Sequence, residues 1–125
     1  RVNYELTKQL FNTFIGSKAK KFIFISSVKA SADHTSVPLT EKHPPYPQTH
    51  YGKSKLLAEQ FILSQTMPEG KLCYILRPCM THGPGNKGNL NLLYKLISKV
   101  IPYPPASFDN KRSFLSIDNL CFVIM

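Results

Sequence analysis

Residues 21–27 read Lys21-Phe22-Ile23-Phe24-Ile25-Ser26-Ser27, an unbroken apolar run that ends in two hydroxyl side chains. Apolar side chains at successive positions, without polar alternation, are typical of a strand that is buried on both faces of a parallel sheet. A second run of the same kind lies at residues 72–76. The sequence therefore predicts two strands of this buried type.

Helical spacing of apolar residues surrounds these two strands. The spacing predicts helices over 2–17, 51–65 and 89–100, and a short strand over 113–117 before a last helix that Asp118 can cap. The prolines and glycines of residues 30–50 and 77–88 predict loops. Helices that alternate with strands are typical of a doubly wound α/β sheet, and we expect that fold class here.

Chemically useful side chains follow the ends of the two strands. Ser26 and Ser27 end the first strand, Arg77-Pro78 follow the second, and Tyr51 begins the helix between them. Ligands of open α/β sheets bind outside the carboxyl ends of the strands. These residues are therefore expected to meet at one edge of the sheet.

Tyr51 and Lys55 lie four residues apart, a spacing that places two side chains on one face of a helix. A phenol beside a fixed ammonium can act as a base near neutral pH, because the positive charge favours the phenolate. Spacing alone does not identify a site, since Tyr4 and Lys8 have the same separation. Without its surroundings, Tyr51 could equally be an amphipathic aromatic residue in the first turn of a helix.

The composition restricts the class of protein. The formal net charge is +9, from 16 Lys and Arg against 7 Asp and Glu. No dense basic run with interleaved aromatic residues is present, so we expect no nucleic-acid partner. The charge is either a local excess that segments outside this sequence offset or an attraction to an anionic substrate. No apolar run is long enough for a membrane span. The three cysteines lack metal-ligand spacing and an even count, which favours a reduced, cytoplasmic location and no metal.

Several motifs in order resemble one family. They are Ser26-Ser27, Tyr51-Gly52-Lys53-Ser54-Lys55, Arg77-Pro78 and His82-Gly83-Pro84-Gly85. The chain is similar from Asn3 to Leu120 to the extended short-chain dehydrogenase/reductases, and within them to the NAD-dependent sugar-nucleotide epimerases and dehydratases. Residues 1–125 are accordingly expected to form a single fragment of such a domain. The fold implied is a partial Rossmann-like parallel sheet that lacks the N-terminal dinucleotide-binding half.

The resemblance implies a role for each matching residue. The catalytic residues would be Ser27, Tyr51 and Lys55; the NAD-binding residues would be Ser26, Tyr51, Lys55 and Pro78; the substrate-binding residues would be Ser27, Asn89 and Arg112. Tyr51 would exchange a proton with a sugar hydroxyl, Lys55 would hold the nicotinamide ribose, and Arg112 would neutralise a phosphate of the nucleotide sugar.

The resemblance also implies a reaction. The dehydratase branch has an acidic pair after its catalytic hydroxyl residue, whereas Ser27 is followed by Val28-Lys29-Ala30. The expected reaction is therefore interconversion of the C4 epimers of a UDP-hexose through a 4-keto sugar. A one-way 4-keto reductase of surface-polysaccharide synthesis and an inactive fragment are the alternatives. The sugar and the preference for NAD or NADP stay open. The parent protein is expected to be a homodimer, and the isolated fragment to be inactive.

Overall fold

The computed structural model describes residues 2–85, 89–99 and 112–125. Its elements in chain order are helix α1 (Val2–Gly16), strand β1 (Lys21–Ile25), a short 3-10 turn (Val28–Ala30), helix α2 (His50–Leu63), strand β2 (Leu72–Leu76), strand β3 (Met80–His82), helix α3 (Asn89–Ser98), strand β4 (Phe114–Ser116) and helix α4 (Ile117–Ile124). The alternation of helices and strands confirms the predicted α/β class.

The chain divides into two compact units, the first ending at Pro78 and the second comprising Cys79–Met125. In the first unit β1 and β2 pair in parallel, with Lys21 opposite Leu72 and Ile25 opposite Leu76. Helix α2 is the connection between these strands, as a parallel pair requires. In the second unit β3 and β4 also pair in parallel. The parallel pairing of β1 with β2 is the arrangement that the sequence predicted.

The hydrophobic core of the first unit lies between its helices and one face of the sheet. Its buried members are Phe11, Phe14, Phe24, Ala58 and Ile62. The rings of Phe11 and Phe22 meet edge to face, with their centroids 5.3 Å apart. Each buried phenylalanine stabilises the unit by about 1.5–3 kcal/mol relative to an exposed one. This core fixes α2 against the sheet.

The opposite face of the sheet departs from the prediction. Cys73 and Ile75 of β2 pack against the core, whereas Leu72 and Tyr74 are 51% and 46% exposed. Successive side chains of a strand point to opposite faces, and within the described residues only one face of this sheet is covered by helices. The expectation that both strands are buried on two faces is therefore wrong for the part of the chain described here.

The second unit corrects two further predictions. Residues 77–88 were expected to form a loop, but Met80–His82 is a strand, since it finds a partner in Phe114–Ser116 far along the chain. The cap of α4 is Ser116, whose Oγ accepts a hydrogen bond from the Asn119 amide at 3.1 Å. Asp118 lies within the first helical turn, where its negative charge favours the helix through the macrodipole.

Within residues 2–85, 89–99 and 112–125, every helix is too short or too polar to cross a bilayer. In the same ranges, no three His, Cys, Asp or Glu side chains form a group suited to a metal ion.

Candidate active site

The two serines after β1 have different environments. The Ser26 amide donates to the Leu76 carbonyl at 2.7 Å and so continues the pairing of the strands. Its side chain is buried at 3% exposure, and its Oγ has no hydrogen-bond partner among the described residues. Ser27 is extended, and its Oγ accepts a hydrogen bond from the Lys29 amide at 3.2 Å. Ser27 thereby starts the short 3-10 turn and is only half-buried.

Tyr51 lies in the first turn of α2. Thr49 caps this helix, and its Oγ1 accepts a hydrogen bond from the Gly52 amide at 3.1 Å. A threonine is well suited to this position because its oxygen satisfies an amide that has no partner within the helix. Tyr51 itself is 49% exposed. Its ring is therefore fixed to a rigid element and accessible to a ligand.

Lys55 reaches from α2 to the end of β1. Its Nζ donates a hydrogen bond to the Ile25 carbonyl at 2.9 Å. The same nitrogen lies 5.9 Å from the centroid of the Tyr51 ring and 5.0 Å from that of Phe24. Burial lowers the pKa of Lys55 from its ordinary value, and the charge of Glu59 partly opposes this shift. The structure thus brings the predicted Tyr51 and Lys55 pair together at the carboxyl end of a strand.

A buried ion pair fixes α2 to the end of β2. Glu59 is 1% exposed, and its carboxylate accepts hydrogen bonds from Arg77 Nε at 3.0 and 3.1 Å and another from Arg77 Nη2. Arg77 Nη1 donates to Ser31 Oγ at 2.9 Å. The hydrogen bonds to Glu59 raise the pKa of Arg77, although burial opposes them. Arg77 therefore has a structural partner inside the protein.

Asp33 holds the start of α2. Its Oδ2 accepts hydrogen bonds from the amides of Gln48 at 2.7 Å and Thr49 at 2.9 Å, and its Oδ1 accepts one from Thr49 Oγ1 at 2.9 Å. Lys29 Nζ lies 3.4 Å from Oδ1. These donors, the Thr49 amide first among them, hold the pKa of Asp33 far below its usual range, although desolvation opposes them. The carboxylate is therefore ionised in its bonded position.

Gly52 is required by the close approach of α2 to the 3-10 turn. A Cβ at this position would collide with the Lys29 carbonyl oxygen and would lie 2.9 Å from Pro47 Cβ. The first turn of α2 therefore rests directly on the turn that begins at Ser27. This contact places the segments of Ser27 and Tyr51 side by side.

Pro78 contributes a backbone contact at the same edge. Its carbonyl accepts a hydrogen bond from the Val28 amide at 3.0 Å, so the segments that follow β1 and β2 are joined. Of the site residues expected from the sequence, five belong to the first unit, namely Ser26, Ser27, Tyr51, Lys55 and Pro78.

The two remaining site residues belong to the second unit. Asn89 is the first residue of α3, and its side chain lies outside the described residues. Arg112 is exposed and precedes β4 by two positions. Their roles at a substrate remain predictions.

Two residues of the site were not found from the sequence. Glu59 had a detectable signal, because it follows Lys55 by one helical turn and comes directly after the apolar residues Leu56, Leu57 and Ala58. Asp33 had none, since its partners lie 15 and 16 residues away across a proline-rich segment.

The α/β fold and the grouping of these residues agree with the expected class, the extended short-chain dehydrogenase/reductases. The model of the family described as "NAD dependent epimerase/dehydratase family" matches residues 1–124, and the chain belongs to that family. Both the resemblance expected from the motifs and NAD as the cofactor of the family are thereby confirmed.

Curated relatives include two epimerases. A UDP-glucose 4-epimerase of Vibrio cholerae is 39% identical over 127 residues, which are 99% of this chain and 39% of that protein. An N-acetyl-alpha-D-glucosaminyl-diphospho-ditrans,octacis-undecaprenol 4-epimerase of Escherichia coli O157:H7 is 33% identical over 99 residues, which are 78% of this chain and 30% of that protein. The chain thus spans well under half the length of these relatives.

Solved structures agree with this assignment. A UDP-N-acetylglucosamine 4-epimerase from Bacillus cereus matches with a TM-score of 0.69 and 28% identity, covering 91% of this chain and 40% of that one. The Bordetella bronchiseptica enzyme WbmG in complex with NAD matches with a TM-score of 0.77, covering 98% of this chain and 38% of that one. At 21% identity, the second likeness supports the fold alone.

Proposed function

We propose that the intact protein is an NAD-dependent nucleotide-sugar 4-epimerase that interconverts the C4 epimers of a UDP-hexose through a 4-keto sugar. The observation that supports this most directly is the position of the Lys55 ammonium between the Ile25 carbonyl and the Tyr51 ring. The relative from Vibrio cholerae, named a UDP-glucose 4-epimerase, supports the choice of a UDP-hexose.

Tyr51 is the proton-transfer group in this proposal. Its half-exposed ring can approach the C4 hydroxyl of a sugar, and the Lys55 ammonium places a positive charge beside the ring that takes up the proton. In the second half of the reaction the same phenol returns the proton to the C4 oxygen of the turned keto sugar. Ser27 donates a hydrogen bond to that oxygen and orients it between the two proton transfers.

The residues present fit the nicotinamide end of NAD. Lys55 has three N–H donors, and within the part of the chain that the structure describes the Ile25 carbonyl accepts one of them, which leaves the others for ribose hydroxyls. The buried Ser26 hydroxyl and the Pro78 backbone lie at the same strand ends. When bound there, NAD supplies the hydride acceptor and donor for oxidation and reduction at C4.

The substrate diphosphate is assigned to the second unit. Arg112 is exposed and has the planar fork of donors that suits a phosphate, and Asn89 begins the preceding helix. The net charge of +9 favours an anionic nucleotide sugar through long-range attraction. These two residues are proposed as substrate ligands on the family resemblance and on their chemistry.

The proposal extends to the protein as a whole. We assign the activity to the intact protein in the cytoplasm, acting as a homodimer, and we expect residues 1–125 alone to be inactive. The share of the Vibrio cholerae enzyme that this chain covers, 39%, supports the last expectation.

Incubation of the intact protein with a UDP-hexose and no added nicotinamide tests the proposal. Appearance of the C4 epimer supports an epimerase, because the cofactor is regenerated in each cycle. Turnover only of a 4-keto sugar, and only with added reduced nicotinamide, would instead show a reductase. Absence of both activities would refute the assignment. The contribution of Lys55 to this activity is tested by Lys55→Met. The matched control is Lys53→Met, since Lys53 is exposed and lies two residues earlier on the same helix.

A further inference from the structure

Asp33 lies outside the groups that act on the sugar, yet it joins the segments that contain two of them. Its side chain is 2% exposed although it belongs to a loop. It receives hydrogen bonds from two amides and one hydroxyl at the start of α2. Lys29 of the 3-10 turn approaches the same carboxylate and also donates to the Asp33 carbonyl at 3.0 Å. Asp33 thus connects the turn that begins at Ser27 with the helix that begins near Tyr51.

The hydrogen bonds from Gln48 and Thr49 are all accepted by the Asp33 side chain, and they use both oxygens of its carboxylate. Thr49 donates its hydroxyl proton to Asp33 Oδ1, which leaves the hydroxyl oxygen free to accept from the Gly52 amide. The other oxygen, Oδ2, accepts two backbone amides. An asparagine has a single acceptor oxygen and one NH2 group. In either orientation its NH2 group would face a donor, either the Thr49 hydroxyl or the two amides. The helix cap is therefore oriented by Asp33.

We propose that Asp33 is a positioning residue for the epimerase reaction: its carboxylate orients the Thr49 cap, fixes the first turn of α2, and so holds the Tyr51 ring in place beside the segment of Ser27. This inference rests on the proposed function. A displacement of a catalytic group by about 1 Å can lower the rate by about 100-fold. The effect of losing Asp33 therefore falls on turnover more than on substrate binding.

Asp33→Asn in the intact protein tests this inference, with the exposed Glu69→Gln as the matched control. We expect kcat to fall by roughly 10- to 100-fold and the KM for the nucleotide sugar to change by less than about threefold. Thr49→Val, which removes only the side-chain hydrogen bonds, is expected to lower kcat in the same way, and Thr49→Ser to restore it. The double variant Asp33→Asn/Thr49→Val should be little slower than the worse single variant, because both disturb one cap.

Three results would overturn the inference. They are a kcat within twofold of wild type in folded Asp33→Asn, a kcat within twofold of wild type in Thr49→Val, and a double variant whose losses multiply. If Asp33→Asn does not fold, Thr49→Val decides alone, since it retains both backbone hydrogen bonds to the carboxylate. Failure of the proposed function is distinguishable, because the wild-type protein would then show no epimerisation.

Discussion

The ammonium nitrogen of Lys55 lies 5.9 Å from the centroid of the Tyr51 ring, one helical turn away. A hydrogen bond to the Ile25 carbonyl fixes this nitrogen at the end of β1. The two side chains therefore keep their relation independently of any ligand. Tyr4 and Lys8 of α1 have the same spacing in the sequence, but the Lys8 nitrogen lies over the ring of Phe61 of α2. Position at a strand end, rather than spacing, distinguishes the candidate site.

Replacement of Lys55 by methionine is the first prediction. The change removes the positive charge beside the Tyr51 ring and the donors proposed for ribose, while it retains an aliphatic chain against Phe24. We expect kcat of the intact protein to fall by about 100-fold or more and its affinity for NAD to weaken. Steady-state kinetics and NAD titration measure the two effects. Wild-type kinetics in Lys55→Met, alongside an unaffected Lys53→Met control, would contradict the role given to Lys55.

The Glu59 and Arg77 pair gives a prediction on stability. Arg77→Met leaves the buried Glu59 carboxylate without its partner, and loss of one member of a buried pair costs about 3–5 kcal/mol. Glu59→Leu combined with Arg77→Met removes both charges, so the double variant should be more stable than Arg77→Met alone. Chemical unfolding of the intact protein measures the free energy of unfolding for each. A double variant that is less stable than Arg77→Met would show that the pair is not the source of the effect.

Two glycines provide a matched comparison. Gly52→Ala places a methyl group against the Lys29 carbonyl, and a misfit of this kind costs about 1–3 kcal/mol. Gly16→Ala meets nothing within 4 Å at the end of α1, so it should leave the free energy of unfolding unchanged or raise it by up to about 1 kcal/mol. Unfolding midpoints measured side by side distinguish the two sites. Equal effects of both substitutions would exclude the close packing described for Gly52.

Asp33 predicts a pH dependence of stability. Its folded-state pKa is depressed, so the folded state binds fewer protons than the unfolded state in acid. The stabilisation is complete above about pH 4, the range of an ordinary aspartate, and is lost as the pH falls further. Among the described residues, Lys29 is the charged side chain that faces this carboxylate. The difference in unfolding midpoint between wild type and Asp33→Asn should therefore be largest near about pH 7 and shrink towards about pH 3. A constant difference in unfolding midpoint across this pH range would argue against a stabilising role for the ionised Asp33 carboxylate.

The sequence predicted the parts of the fold that depend on local pattern. The apolar runs at 21–25 and 72–76 predicted β1 and β2, and the helical spacing of apolar residues predicted α1 and α2, all within a few residues. β3 was missed because a strand of three residues is defined by its distant partner, Phe114–Ser116. The exposure of Leu72 was missed because an apolar run does not tell which face is covered.

The candidate site was also predicted only where it depends on local pattern. Tyr51 and Lys55 were paired from helical spacing, and the structure places them together. Asp33 was missed because its hydrogen bonds join residues 15 and 16 positions apart and depend on how the loop after Ser27 folds onto α2. Glu59 was missed although it lies one helical turn from Lys55, because its partner Arg77 follows it by 18 positions, after β2. The proximity of the two candidate catalytic residues was therefore easier to predict than the contacts that hold them in position.

The role of Tyr51 in proton transfer is the central claim, and Tyr51→Phe tests it most directly. The substitution removes only the hydroxyl, so the ring packing, the α2 cap and the thermal stability of the intact protein should be retained. With a UDP-hexose as substrate, we predict that kcat for formation of the C4 epimer falls by at least about 100-fold while the protein remains folded. A folded Tyr51→Phe variant that forms the epimer at the wild-type rate would contradict the account.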